Sequence, residues 1–261
     1  KEGKHTMPSE MEDYLFDLRG YIVIPNAIDK SLIDKINQLV NRYVLLETNQ
    51  WKGYVHRRSK NEIQNIMEAG DPFEHLIDHA SYIDHLTRYV GGDDGLFIDE
   101  AFVNVRESGG STPLHSGAHK RRIRTQFRFH NNQFRCGQIN MLLALSDISS
   151  RDGATMVIPS SHKSNLLHPS FQSPQTRSSL EEVAGAIEVH LQAGDVLLFV
   201  DCMAHGSAIK RTLGERRILI YRYGPHWGHN RYGYQSSEEL LARLTPARRR
   251  IVCPISPLGP P

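Results

Sequence analysis

Hydrophobic and polar positions alternate with one period before residue 96 and another after it. In "SLIDKINQLVNRYVLL", Leu32, Ile36, Leu39, Tyr43 and Leu46 recur at helical spacing, which predicts an amphipathic helix. A second helix is predicted over "PFEHLIDHASYIDHLTRYVG", stopping at the Gly91-Gly92 pair. From Leu96 the chain breaks into short runs rich in β-branched and aromatic residues, separated by Gly, Pro, Asn and Asp: "LFIDEAFVNVRE", "RTQFRFH", "CGQINMLLALSDI", "GATMVIPSS", "AIEVHLQAGDVLLFV" and "RRILIYRYG". A block of helices followed by many short strands predicts an α+β fold built on a β-sandwich or barrel. No repeat, low-complexity tract or long linker interrupts residues 1–261, so one domain is expected. Residues 1–12 read as an unstructured leader, because "KEGKHT" has no pattern and Met7 is a plausible start. Residues 247–261, ending in "CPISPLGPP", read as an extended surface tail.

Composition narrows the class of protein. Net charge is only +2, so neither a polynucleotide nor a membrane surface is implied as partner. Three cysteines, Cys136, Cys202 and Cys253, are odd in number and lack zinc-type spacing; they are expected as buried thiols. Without an apolar run of spanning length or a signal-like leader, the expectation is a cytoplasmic protein acting on a small molecule.

Several polar positions are candidates for chemistry. His75, His79 and His85 lie in the second predicted helix; the i, i+4 pair His75/His79 has metal-binding spacing, but a solvated or packed helix face is the simpler account. In "CGQINMLLAL", Gln138 and Asn140 share one strand face while Ile139, Met141, Leu143 and Leu145 share the other. Polar groups on that face suit either a barrel interior holding a polar ligand or a sheet face turned to water. Downstream, His205 follows the strand "GDVLLFV" and Arg216 comes eleven residues later (216 − 205 = 11) at the start of the next strand. A hairpin-like return over that interval turns both side chains into one cavity. With His115 upstream, two histidines on neighbouring strands are the scaffold of a mononuclear non-haem iron site, and an arginine beside it suits a carboxylate-bearing cosubstrate.

From about Tyr14 to Pro246 the chain resembles the phytanoyl-CoA dioxygenase family of Fe(II)/2-oxoglutarate oxygenases. The resemblance is carried by "LHSG", "CGQINMLLALSD", "DGATMVIPSSHKSN", "AGDVLLF" and "HGSAIKRTLGERR". It implies a double-stranded β-helix (jelly-roll, cupin-like) core with N-terminal helices packed on it. It also implies iron on His115 and His205, the distal carboxylate of 2-oxoglutarate on Arg216 with help from Ser207, and oxygen as cosubstrate. Gln138 and Asn140 are weaker candidates for cosubstrate contact.

One position departs from that family. Gly117 stands where the oxygenases carry the Asp or Glu that completes the metal face, and glycine has no side chain to ligate. A halide in the vacancy, a carboxylate from elsewhere and a dead site are the three explanations. Chloride supplies the charge and the coordination position of a carboxylate, and glycine leaves a large anion room. This resembles the non-haem iron halogenases, in which Gly or Ala replaces the carboxylate and the substrate radical collects chlorine instead of hydroxyl. Halogenation is the first expectation, with Gly117 as the halide position. Hydroxylation with an unusual metal site and a non-catalytic ligand-binding role follow. Asp201 and Asp152 are conceivable substitutes, though neither lies at the motif spacing.

Substrate candidates are read from charge and aromatic character. His119 lies in an apparent loop and suits a surface or substrate contact better than a third metal ligand. Lys120, Arg121, Arg122, Arg124 and Arg128 form a local basic cluster suited to phosphate or carboxylate. "YGPHWGHNRYGY" interleaves aromatics with His226, His229 and Arg231, so Trp227 is expected either to stack a planar ring or to pack as a lid. Together they allow a small anionic metabolite. The glycine-bearing motif resembles that of a halogenase acting on a deoxyadenylate, which makes a nucleotide one candidate.

Overall fold

The computed structural model describes residues 7–51, 53–90, 95–117, 125–172, 180–226 and 236–253. Two antiparallel sheets form the core. The larger runs β1 (Tyr21–Ile24), β10 (Val196–Val200), β7 (Ile139–Ala144), β12 (Arg216–Pro225), β4 (Leu96–Arg106), β3 (Glu62–Gln64) and β2 (His56–Ser59). The smaller runs β11 (His205–Ser207), β8 (Thr155–Val157) and β9 (Ile187–Val189). A separate hairpin pairs β5 (Phe129–His130) with β6 (Gln133–Phe134). This is the α+β fold expected from the strand texture and the jelly-roll that the family resemblance implied, with the N-terminal helices packed on the larger sheet.

The helices follow their local signals where those are strong. α1 (Glu10–Arg19) opens on a capping box, Ser9 accepting from the Glu12 N–H while the Glu12 carboxylate accepts from the Ser9 N–H. That corrects the expected leader: residues 10–12 are already helical. α2 (Lys30–Val44) is capped by Asp29 and buries Ile33, Ile36 and Val40, while Leu32, Leu39 and Tyr43 pack at the edge of the core. At the far end, Thr245 caps α6 (Pro246–Val252), which buries Ile251 and Val252, so the first residues of the expected extended tail are helical. Residues 254–261 lie outside the described residues.

The second predicted helix is broken in two, α3 (Asp71–Glu74) and α4 (Ile83–Val90). Between them the carbonyls of Leu76 and Ile77 accept from the buried Tyr223 hydroxyl at 3.1 and 2.9 Å, and Leu76 also accepts from Tyr82. Tertiary donors replace the helical ladder there, which periodicity does not reveal. None of the three histidines of this stretch forms a metal pair. His75 contacts Asp71, His79 contacts Ser81, and buried His85 contacts Glu12.

Cys136 and Cys202 are buried thiols and Cys253 is half-buried; all three are free. Among the described residues no helix is long and apolar enough to cross a membrane.

Candidate active site between the sheets

The strand register places alternate residues of the larger sheet in a cavity facing the smaller one. Phe102, Asn104 and Arg106 of β4 lie beside Ile220, Ile218 and Arg216 of β12, and Asn140 and Leu142 of β7 continue the same face. The opposite wall holds His205, Gly206 and Ser207 of β11 together with Thr155, Thr112 and His115. The strand parity predicted for Asn140 therefore holds. Gln138 is buried on the same parity but donates to Asp99 at 3.2 Å and does not line this cavity.

His115 and His205 meet through a two-bond backbone bridge, each N–H donating to the other's carbonyl at 2.9 Å. Directly opposed residues of an antiparallel pair put their side chains on one face, and the two imidazole rings lie with centroids 4.1 Å apart. His115 Nδ1 sits 2.9 Å from the Pro113 carbonyl and His205 Nδ1 2.7 Å from that of Met203. A carbonyl only accepts, so each Nδ1 carries a proton, which leaves Nε2 of the neutral ring as the nitrogen a metal would take. Burial and the neighbouring His115 hold His205 well below the ordinary histidine pKa, which keeps its ring neutral. The bridge demands glycine at 206: a Cβ there would come within 2.6 Å of the Thr112 carbonyl.

Two guanidiniums fill the other end. Arg106 and Arg216 are cross-strand partners, each only 5% exposed. Among the described residues neither is within ion-pair distance of a carboxylate, and the Nε of each is buried without a partner. Arg106 donates to Ser207 Oγ at 2.5 Å and to Thr112 Oγ1 at 2.6 Å; Arg216 has a long contact of 3.4 Å to Asn104. Ser207 thus holds Arg106 rather than Arg216. Burial, then the charge of Arg106, push Arg216 down to about 9. Two buried, mutually repelling cations are costly unless an anion joins them. Arg106 closes the strand run "LFIDEAFVNVRE", which is none of the stretches that carry the family resemblance, so no motif marks it. The parity of Asn104 and Arg106 in "FVNVR" is the signal that marks it.

The space beside Gly117 is filled. A Cβ at that position would lie 2.2 Å from Asp201 Oδ2 and 2.7 Å from Cβ and Oγ1 of Thr125. Asp201 is 6% exposed, its Oδ1 accepts from Asn140 Nδ2 at 3.0 Å, and its carbonyl accepts from the Gly117 N–H at 2.9 Å. The other conceivable substitute is engaged elsewhere: the Asp152 carboxylate accepts from Ser149 and Thr212, its backbone forms a β-bridge with Lys210, and it takes no part in the cavity. Among the described residues no three His, Cys, Asp or Glu side chains stand ready-gathered for a metal.

The substrate candidates are placed only in part. His119, Lys120, Arg121, Arg122, Arg124 and Trp227 lie outside the described residues, as do His229 and Arg231. Arg128 is exposed, donates to Gln126 and lines neither the cavity nor the depression beside it. His226 is buried and packs near Phe97. The adjoining depression, beside Ser116, Gln126 and Cys202, has a wall of serines, Asn165, His168, Leu166, Leu167 and Phe171, with no charged side chain among the described residues.

The family model for phytanoyl-CoA dioxygenase (PhyH) matches residues 16–218. Among curated proteins, a dioxygenase, cdmD, of Talaromyces verruculosus is 30% identical over 115 residues, 44% of this chain and 35% of that protein. A second, trt7 of Aspergillus terreus, is 24% identical over 119 residues, covering 44% of this chain and 37% of its own length. The match thus spans about a third of each relative. Among solved structures, HygX from Streptomyces hygroscopicus with nickel and 2-oxoglutarate bound superposes with a TM-score of 0.72. It is 23% identical and covers 84% of this chain and 87% of its own. SnoN, a non-haem α-ketoglutarate-dependent epimerase from nogalamycin biosynthesis, gives 0.61 at 14% identity, covering 86% and 87%.

Proposed function

Because the chain belongs to the phytanoyl-CoA dioxygenase family, we propose that it is an Fe(II)/2-oxoglutarate-dependent oxygenase that hydroxylates a small polar molecule. The observation that carries this is the arrangement of one cavity: two imidazoles whose Nδ1 atoms are held by backbone carbonyls at one end, two buried guanidiniums with no ion-paired carboxylate among the described residues at the other. Neutral imidazole nitrogens suit a divalent iron, and paired cations suit the far carboxylate of a dicarboxylate cosubstrate. Iron with 2-oxoglutarate and oxygen would supply the two-electron oxidation that turns a C–H bond into C–OH, releasing succinate and carbon dioxide.

The chain's own residues do the rest. His115 and His205 hold the metal, oriented by the carbonyls of Pro113 and Met203. Arg216 and Arg106 neutralise and align the cosubstrate, with Ser207 and Thr112 fixing Arg106. Phe199 stacks edge-on to His205 and keeps water from its ring. Among the described residues the wall beside Ser116 and Cys202 presents serine hydroxyls, Asn165 and His168, which suit a hydroxyl-bearing substrate. HygX has been solved with hygromycin B bound, which is compatible with such a choice.

Halogenation is the second reading, favoured by glycine at the third position of the His115 motif. Against it stands the filled space beside Gly117: a halide there would meet the buried Asp201 carboxylate, and like charges repel strongly where water is excluded. The test is product analysis under oxygen-18 with chloride present or omitted, scored with succinate release. A label from oxygen in the product, indifferent to chloride, is the expected result; a chlorinated product that needs the halide would move the assignment to a halogenase.

A further inference from the structure

We propose that Asp201, four residues before His205, supplies the metal carboxylate that position 117 lacks, and that Gly117 is there to admit it. The inference rests on the iron reading above.

Distance is the first ground. Bond lengths set an aspartate's carboxylate oxygens about 2.4 Å from its own Cβ. Asp201 Oδ2 lies 2.2 Å from the Cβ that Gly117 would carry, as far from it as a carboxylate grown from position 117 would reach. Scaffold is the second. The Asp201 carbonyl is tied to the Gly117 N–H and its own N–H to the Gln138 carbonyl, at 2.9 and 3.0 Å, so its backbone is pinned on both sides. Orientation is the third. Asn140, on the cavity face of β7, donates to Oδ1, the kind of support that aims a ligating carboxylate. The negative charge of Asp201 also acts on the buried His205 ring.

Any side chain at 117 would collide with both Asp201 and Thr125, so glycine here follows from crowding rather than from a need for empty space. One carboxylate and two imidazoles restore the charge and donor set of the ordinary family site, with the acid supplied by the turn after β10 instead of the strand after His115. No three ligands are ready-gathered among the described residues, so the proposal includes a closing movement of Asp201 Oδ2 and the two imidazoles onto the metal.

Co(II) titration of the metal-free protein with 2-oxoglutarate, read by Co(II) absorption, tests the assignment without turnover. Losing a supporting hydrogen-bond partner costs roughly ten- to a hundredfold in metal affinity. D201A is expected to lose more than that. G117D/T125G/D201G, which moves the carboxylate back and clears both contacts, is expected to recover affinity to within about tenfold of the wild type, whereas G117D alone, with two acids in one space and Thr125 still in place, is not. The wild-type spectrum is expected to ignore added chloride, a measurement that needs no variant to fold. Wild-type affinity in D201A, or a chloride-dependent band in the wild type, would overturn the proposal. A wild type that takes up no Co(II), or H205A binding as tightly as wild type, would sink the iron site itself and this assignment with it.

Discussion

At one end of the cavity Arg106 and Arg216 face each other from within strands of eleven and ten residues, whereas at the other His115 and His205 meet through one backbone bridge between short segments. The first end is electrostatically unfinished; the β4–β12 ladder holds two like charges, and Glu62, the acid on the cavity wall whose charge acts on Arg106, forms no ion pair with either. The second is quieter, with burial keeping the His205 ring neutral, but it depends on a turn, a bridge and a close glycine approach. The charged end is thus framed by a long ladder, and the histidine end, the proposed metal site, by short segments. The two ends should therefore fail differently.

The largest effect is expected at the quiet end. His205→Ala or His115→Ala should abolish Fe(II) binding and 2-oxoglutarate turnover while leaving the fold intact, because the core is built without the metal. Metal titration with circular dichroism checks it; retained turnover in both variants would remove the histidines from the site.

The charged end should lose affinity and gain stability. Arg216→Leu removes one partner of a buried ion pair with the cosubstrate, a loss of about 3–5 kcal/mol, a hundredfold or more in 2-oxoglutarate affinity. The same change relieves the repulsion from Arg106, so the cosubstrate-free protein should melt higher. Arg106→Met should do both more weakly. Calorimetry with and without 2-oxoglutarate separates the terms, and a lower melting point in both variants would contradict unbalanced charge.

Acid should act on the fold outside the cavity as well as on the histidine end. Burial pushes His162 down to about 4, and His79 and His205 are also lowered. A histidine whose folded pKa is depressed takes up its proton in the unfolded chain first. The stability it contributes is present above pH 6.5 and is lost as pH falls toward about 4. His162→Gln, which keeps a donor for the Asp17 carbonyl, should flatten that slope by about 1–3 kcal/mol in urea unfolding across this range. An unchanged slope would assign the acid loss to other groups.

The smallest effect lies far from both ends. Ser9→Ala breaks the α1 capping box and should cost about 1 kcal/mol of stability. Cosubstrate affinity should not move; if it does, α1 communicates with the cavity.

Much of the molecule is written in short-range pattern. Strand texture announced the sheets, and the alternation around Asn140 announced which face looks inward, because a strand's period of two is a local property. The His205 to Arg216 interval was legible for the same reason, since the chain turns once and returns. What short range could not show was the company these residues keep. Arg106 and Arg216 are neighbours only through the β4–β12 register, and Asp201 reaches Gly117 only because the turn after β10 crosses the segment following His115. Likewise Tyr223 takes the carbonyls that a helix through Leu76 and Ile77 would have used. Residue types, strand parity and caps follow from adjacent positions, so they were set along the chain. Whether a glycine leaves a vacancy or makes room for a distant acid depends on which segments are packed together, and only the folded chain decides that.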